Sequence, residues 1–470
     1  MVAMAPRPST RRVLFAAATF AVASTFTTAT ALAQDTTVTA VAHLAPTSDS
    51  PWNPAQPMPS SRLWEDVAHF PGKVASIPFS LLGQAMKGGL VYAENTDLAP
   101  KVASGVSILL DHGIIAGPAS LGDRTGWGGE VGINPTFFRR LIAFVSGSTR
   151  GYNRERVLVS IPYGLVEYQS DWQSQEAFYG VSGVSRREEV ANYAAKSQFA
   201  RLELHVPERR AAVPVRERLE DPAASTETHD RPRALLRAWT GPRDVILLDG
   251  REQTTARQPL SVRFPLLAAN QLETRVEHFV YGGELSYDTR TGRPHWWKGW
   301  RAAVSAERFD APLEAFAFHS ASTPSIPFTR LTYEGEAGFS FWKDPRTLRF
   351  YGRVEDQTNA DGPGVFLISD LASLGGQEGL HGYEPGRFHD VDLVLGGVAY
   401  IFPIGRYLET DLHTERGEVM HRLEEAQFED LAISYGVAIR IRNSFAPLMA
   451  FGVDWSREKV RWQFKLGGVE

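Results

Sequence analysis

The sequence predicts an all-β chain, a transmembrane antiparallel β-barrel of about 16 strands, and three observations predict it. Its C-terminal three-quarters alternate apolar and polar residues with a period of two, in segments of ten residues or more. An export-type N-terminus precedes them. Beyond residue 33 no run approaches the ~20 apolar residues that a spanning helix needs.

The chain has 470 residues, 43% hydrophobic and 22% charged, enough for one large barrel or for several soluble domains. A net charge of −5 gives no basis for nucleic-acid binding. With no cysteine, disulfides, thiolate catalysis and Cys-ligated metals are excluded.

Arg7, Arg11 and Arg12 precede an apolar run from Val13 to Leu32, and Ala31-Leu32-Ala33 supplies a small-x-small cleavage site. Residues 1–33 are therefore expected to be a signal peptide. Residues 34–60 are rich in Pro, Ser and Thr and read as linker. From Leu63 to Met86, helical spacing interrupted by Pro71 and Pro78 predicts short amphipathic helices, so 34–100 form a periplasmic segment and 101–470 the barrel. The apolar face of residues 63–86 leaves a homodimer open.

After about Ala103 the period becomes two. Ile433, Tyr435, Val437, Ile439 and Ile441 share one face; Ser434, Gly436, Ala438, Arg440 and Arg442 share the other. Leu331, Tyr333, Ala337 and Phe339 oppose Thr332, Glu334, Glu336 and Ser340 in the same way. The last strand sets Val460, Trp462, Phe464 and Leu466 against Arg461, Gln463 and Lys465. A soluble antiparallel sheet alternates too. Segment length, the scarcity of helix and opposite charges on the polar faces (Arg349 and Arg353 with Glu355) favour a wet lumen and a lipid-facing exterior. Short turns (Asn443–Ala446, Pro403–Arg406, Lys343–Arg346) alternate with longer loops (Val419–Asp430, Gln357–Phe388, Ala311–Phe328). The alternation predicts periplasmic turns and outer loops, with a first strand near Gly105. The charged, turn-rich stretch Glu208–Leu272 then reads as one long outer loop.

The segment Leu374-Gly375-Gly376, continuing through His381-Gly382-Tyr383 to Arg387-Phe388, falls in the sixth outer loop, ahead of a strand ending Tyr400-Ile401-Phe402-Pro403. Tyr287-Asp288-Thr289-Arg290 reads as a strand-turn-strand signature, and Glu415-Arg416-Gly417-Glu418-Val419 stands where an Asp-x-Gly-x-Val step would. Together these resemble the outer-membrane assembly barrel superfamily, the bacterial surface antigen family that includes BamA and TamA. Because 34–100 are too short for that family's periplasmic repeats, the chain resembles the subgroup without them. The resemblance implies an outer-membrane protein of membrane biogenesis, or of lipid or protein translocation, whose sixth loop folds back into the lumen. It implies loop-lumen contacts at His381, Gly382, Tyr383, Arg387, Glu415 and Gly417. The family's tip Arg is His381 here, its facing Asp is Glu415, and its inner-face Glu and Arg ahead of Phe-Pro are Ala399 and Ile401. Arg offers a planar fork to a carboxylate where His offers one donor, so a His381–Glu415 contact is expected to be the weaker. The other reading packs His381 on the wall and gives the carboxylate to Arg387. Gly382 is expected where the tip turns sharply or approaches the wall.

No Gly-x-Ser-x-Gly elbow, phosphate loop or His-Glu-x-x-His helix appears, so neither an enzyme nor a cofactor is expected. Outer-membrane lipids are the expected partners. The competing function is a passive channel or structural barrel.

Overall fold

The computed structural model describes residues 114–119, 128–134, 140–181, 185–206, 233–250, 257–293, 296–311, 327–340, 346–359, 366–404, 408–428, 431–442 and 447–466. The expected signal peptide (1–33) and the expected helical segment (34–100) lie outside these residues.

One sheet of 18 strands dominates, and two of those are the short pieces Gln258–Pro259 and Thr291–Arg293. The other sixteen are β1 Ile114–Ala119, β2 Gly128–Ile133, β3 Leu141–Ser148, β4 Asn153–Ile161, β5 Gly164–Phe178 and β6 Ala191–Val206. They continue as β7 Arg233–Asp249, β8 Arg275–Asp288, β9 Trp296–Asp310, β10 Phe328–Ser340 and β11 Thr347–Asn359. The set closes with β12 Asp392–Pro403, β13 Leu408–Met420, β14 Ala432–Arg442, β15 Pro447–Ser456 and β16 Val460–Leu466. Each pairs antiparallel with the next, the up-and-down order of a barrel wall. No ladder joins β1 to β16 among the described residues.

The two faces of the wall are chemically opposite. Trp462 is 69% exposed on the outer face, and Leu285, Val304, Phe339, Phe350 and Tyr435 stand there with it. A soluble protein avoids so wide an apolar surface; a bilayer needs it. The inner face carries a chain of ion pairs running Arg156–Glu167–Arg201–Glu203–Arg237–Glu284–Arg301–Glu334, from β4 to β10. Glu167 and Glu203 are buried in this chain, and each is held by two arginines, which offsets the desolvation of its carboxylate. The predicted facing of Ser434 and Tyr435, of Glu336 and Phe339, and of Arg461 and Trp462 holds.

One expectation is corrected. Glu208–Leu272 is not a single outer loop, because β7, 17 residues long, runs through it. The end of β6 at Val206 and the start of β7 at Arg233 therefore lie at the turn end, and the end of β7 at Asp249 and the start of β8 at Arg275 lie at the loop end. Gly241-Pro242 hid the strand, since proline inside a central strand costs a ladder bond. The β6–β7 register skips Gly241-Pro242 opposite Ala200-Arg201 and resumes unshifted at Thr240↔Leu202. A Cβ at Gly241 would stand 1.8 Å from the Ala200 carbonyl oxygen, so glycine lets the two backbones close up where the ladder is missing.

At the loop end, two short helices follow β7: α1 Leu260–Arg263 and α2 Pro265–Gln271, the latter with proline in its first turn. Leu260 and Ala268 pack on Tyr193, Val245 and Leu247, which lie on the inner faces of β6 and β7. Ile368, from the β11–β12 loop, joins the same cluster.

Candidate functional site: a loop held against the inner wall

Residues 366–391, between β11 and β12, form the sixth loop at this end. A three-residue strand, Ala372–Leu374, pairs with Phe388–Asp390 and closes the segment between them into a compact tip. Gly375 turns it with φ 122°, where a Cβ would fall 2.1 Å from the Glu384 carbonyl oxygen.

The tip meets β13. Alternate residues of that strand face inward, among them Asp411, His413, Glu415 and Gly417. The Glu415 side chain is fully buried, with 0% exposure. A buried carboxylate is costly unless its lone pairs are filled, and here they are. Oε2 accepts from the His381 backbone N–H at 2.8 Å and from Ser434 Oγ at 3.0 Å, and lies 2.8 Å from His381 Nδ1. Oε1 accepts from the Tyr351 hydroxyl at 2.8 Å. Beside it, Leu374 Cδ1 would be 3.0 Å from a Cβ on Gly417, so Gly417 makes room for the loop's apolar residue.

Every other expected contact residue is placed too. Gly382 lies against β15: a Cβ there would be 2.6 Å from the Trp455 carbonyl, and its own carbonyl accepts from Ser456 Oγ at 2.9 Å. Close approach accounts for this glycine. Tyr383 is buried edge-on against Phe388, ring centroids 5.0 Å apart. Arg461, inward on β16, donates to the His381 carbonyl at 2.7 Å and to the Tyr383 carbonyl at 2.6 Å. Arg387 does not take the Glu415 carboxylate. It pairs with Glu458 of the β15–β16 turn at 2.8 Å and with Ser185 Oγ and O, of the β5–β6 loop, at 2.7 and 2.6 Å. Of the two readings of His381, the contact with Glu415 is the one observed.

A second anchor escaped the sequence. Asp370, in the turn Ile368–Asp370, is bound by Arg243 of β7 at 2.6 Å. Its carbonyl accepts from Arg330 of β10 at 2.8 Å and from Gln357 of β11 at 3.0 Å. Burial pushes the Asp370 carboxyl up, but Arg243, His278 and Arg330 outweigh it and hold the group below the usual carboxylate range. Gln271 at the end of α2 braces the same turn, donating to the Phe366 carbonyl at 2.8 Å and accepting from the Ile368 N–H at 3.0 Å. Thus the loop touches β7 and β10 near its start and β13 to β16 at its tip. Nothing near Asp370 forms a motif, and only the fold brings Arg243 to it across 127 positions.

Next to Glu415, the His413 ring sits edge-on to the His381 ring at 5.4 Å, with Asp454 Oδ1 2.8 Å from Nε2 and Asp411 Oδ1 3.3 Å from Nδ1. Arg440 closes this network on Asp411 at 2.5 Å. Among the described residues, no group of three or more acidic or histidine side chains is arranged to hold a metal ion.

An antiparallel wall of sixteen strands, greasy outside and ionic inside, with its sixth loop bound to inward-facing residues, defines a transmembrane β-barrel with an anchored loop. The fold is that of BamA. BamA from Haemophilus ducreyi lacking POTRA domains 1–3 is similar over 78% of this chain and 78% of its own, with a TM-score of 0.50 and 12% identity. CdiB from Escherichia coli aligns over 76% of this chain and 60% of its own (TM-score 0.43, 10% identity). CdiB from Acinetobacter baumannii aligns over 75% and 58% (TM-score 0.39, 12% identity). No protein family model and no curated protein matches the sequence.

Proposed function

We propose that the chain is an outer-membrane barrel acting in membrane biogenesis, in the insertion or translocation of lipid or polypeptide, with the loop 366–391 folded into the lumen as plug and brace. The observation that carries this reading is the buried Glu415 carboxylate, whose hydrogen bonds come from the loop tip and from the wall together. A loop tied to the wall at two places narrows the lumen, which favours a barrel kept closed over a wide, steady pore. Arg7, Arg11, Arg12 and the Ala31-Leu32-Ala33 site support export by a signal peptide spanning residues 1–33. The apolar outer face supports outer-membrane lipid as the immediate partner.

The test has two parts. In planar bilayers the intact protein should conduct little, and deleting 371–390 should raise conductance steeply; a large, steady conductance from the intact chain favours the passive-channel reading. Loss of the gene in the native bacterium should lower the outer-membrane level of other barrel proteins or disturb surface lipid. Unchanged levels of both contradict a role in biogenesis.

A further inference from the structure

Three inner-wall contacts share one unusual geometry. Side chains in a sheet ordinarily meet on adjacent strands, about 5 Å apart. Here three pairs reach across an intervening strand, and each time the residue between them is glycine. Tyr351 on β11 and Glu415 on β13 both stand opposite Gly397 of β12, and the hydroxyl meets the carboxylate at 2.8 Å. His413 on β13 and Asp454 on β15 stand opposite Gly436 of β14 and meet at 2.8 Å. Trp239 on β7 and Glu307 on β9 stand opposite Gly282 of β8, the indole N–H donating at 3.1 Å.

The glycines are needed for space. A Cβ on Gly397 would lie 2.3 Å from Tyr351 Cζ and 2.6 Å from its hydroxyl oxygen. On Gly436 it would lie 2.0 Å from Asp454 Oδ1 and 2.2 Å from His413 Nε2. On Gly282 it would lie 2.8 Å from the Trp239 ring. Such a glycine leaves a trough between neighbouring strands, and the aromatic or carboxylate side chain laid in it covers the bare backbone.

The Tyr351–Gly397 pair stands apart because its bond ends on the carboxylate that holds the loop. We propose that Tyr351, laid over Gly397, is a positioning residue for the loop anchor: its hydroxyl fixes Oε1 of Glu415, so that Oε2 faces the His381 N–H and ring nitrogen. Without that bond the carboxylate can turn about its last torsion, and the His381 contacts lose their alignment. The inference rests on the anchored-loop reading and adds the residue that orients the anchor.

The experiment uses the full chain in detergent and in liposomes. No native cysteine has to be removed. A nitroxide on Q377C, at an exposed position of the loop, reports the docked and undocked fractions from its electron-spin spectrum. E415A, which removes the acceptor of every anchor bond, sets the signal of a released loop. Y351F keeps the ring over Gly397 and removes only the hydroxyl; it should raise the undocked-to-docked ratio roughly tenfold, as expected for a hydrogen bond to a charged group. It should leave the heat-induced shift in gel mobility of the barrel where it was, which a purely structural role for the ring would also do, but without the change in spectrum. If E415A releases the loop and Y351F matches wild type, Tyr351 does not position the anchor and the proposal is overturned. If E415A itself leaves the spectrum unchanged, the anchored-loop reading fails first. Gly397 is tested by a double-mutant cycle. G397A should disturb the spectrum alone and add nothing in Y351A; equal damage in both backgrounds assigns the glycine to another purpose. Should G397A not fold, Y351F alone decides.

Discussion

His381 meets Glu415 through two atoms at once, its backbone N–H and its ring Nδ1 both 2.8 Å from the same carboxylate oxygen. The backbone half of that contact needs no particular side chain. It depends on the tip reaching the wall, and Gly382 next in sequence permits this by lying flat on β15. Anchoring is therefore shared between chain path and side-chain chemistry.

That division sets the first prediction. H381A keeps the backbone bond and removes the ring, and should loosen the loop by about 1–2 kcal/mol. E415A leaves no acceptor for His381, Ser434 or Tyr351 and should cost about twice as much. Rates of limited proteolysis within 375–387 measure both; equal rates in the two variants contradict the division.

Gly382 should tolerate no side chain. A methyl there meets the Trp455 carbonyl carbon and oxygen, both backbone atoms that cannot swing aside. G382A is expected to lift the tip and weaken docking by about 1–3 kcal/mol. A rise in conductance with an unchanged barrel melting profile is the expected result. Unchanged conductance and proteolysis would show that the tip seats elsewhere.

The Asp370 anchor should respond to acid. Its folded carboxyl titrates below the usual value, so its stabilisation is complete above about pH 4 and is lost as pH falls through that lower folded value. The loop's protection from proteolysis or hydrogen exchange around Ile368–Asp370 should be flat from neutrality to about pH 5 and drop below about pH 4 on this account. D370N should show weaker protection at neutral pH and remove that part of the acid response. An unaltered acid profile in D370N assigns the loss to other groups.

For the wall itself, G241A should impair assembly. Its Cβ would occupy the space of the Ala200 carbonyl oxygen, inside the central strand β7. A smaller fraction of heat-modifiable, folded barrel after refolding into liposomes is expected, with overpacking of ~1–3 kcal/mol or more behind it. Refolding at the wild-type yield would mean that β6 and β7 do not approach closely there.

Much of the wall was legible because a strand's period of two is stamped on every segment whose two faces meet different solvents. Phe339 against Glu336 and Trp462 against Arg461 are read without any knowledge of neighbours. β7 was illegible for a local reason: Gly241-Pro242 and the charges of Arg237, Arg243 and Asp244 look like a loop, and only the partner strands reveal that the ladder resumes. The tip was legible through short-range pattern, and His381, Gly382 and Glu415 stand where it pointed. Tyr351, Asp370 and Arg461 were not, since each acts through bonds to residues far away in sequence. The glycines at 397 and 436 carry no signal until the residues two strands apart are known to be level with them.

The central claim, that the loop tip is held on the inner wall at β13, is tested most directly by hydrogen exchange of the His381 backbone amide in the folded, membrane-embedded protein, because that N–H donates to Glu415 Oε2. The amide should be strongly protected in the wild-type chain and lose its protection in E415A. Exchange of the wild-type amide at the rate of an exposed loop, or equal protection in both proteins, would contradict the account.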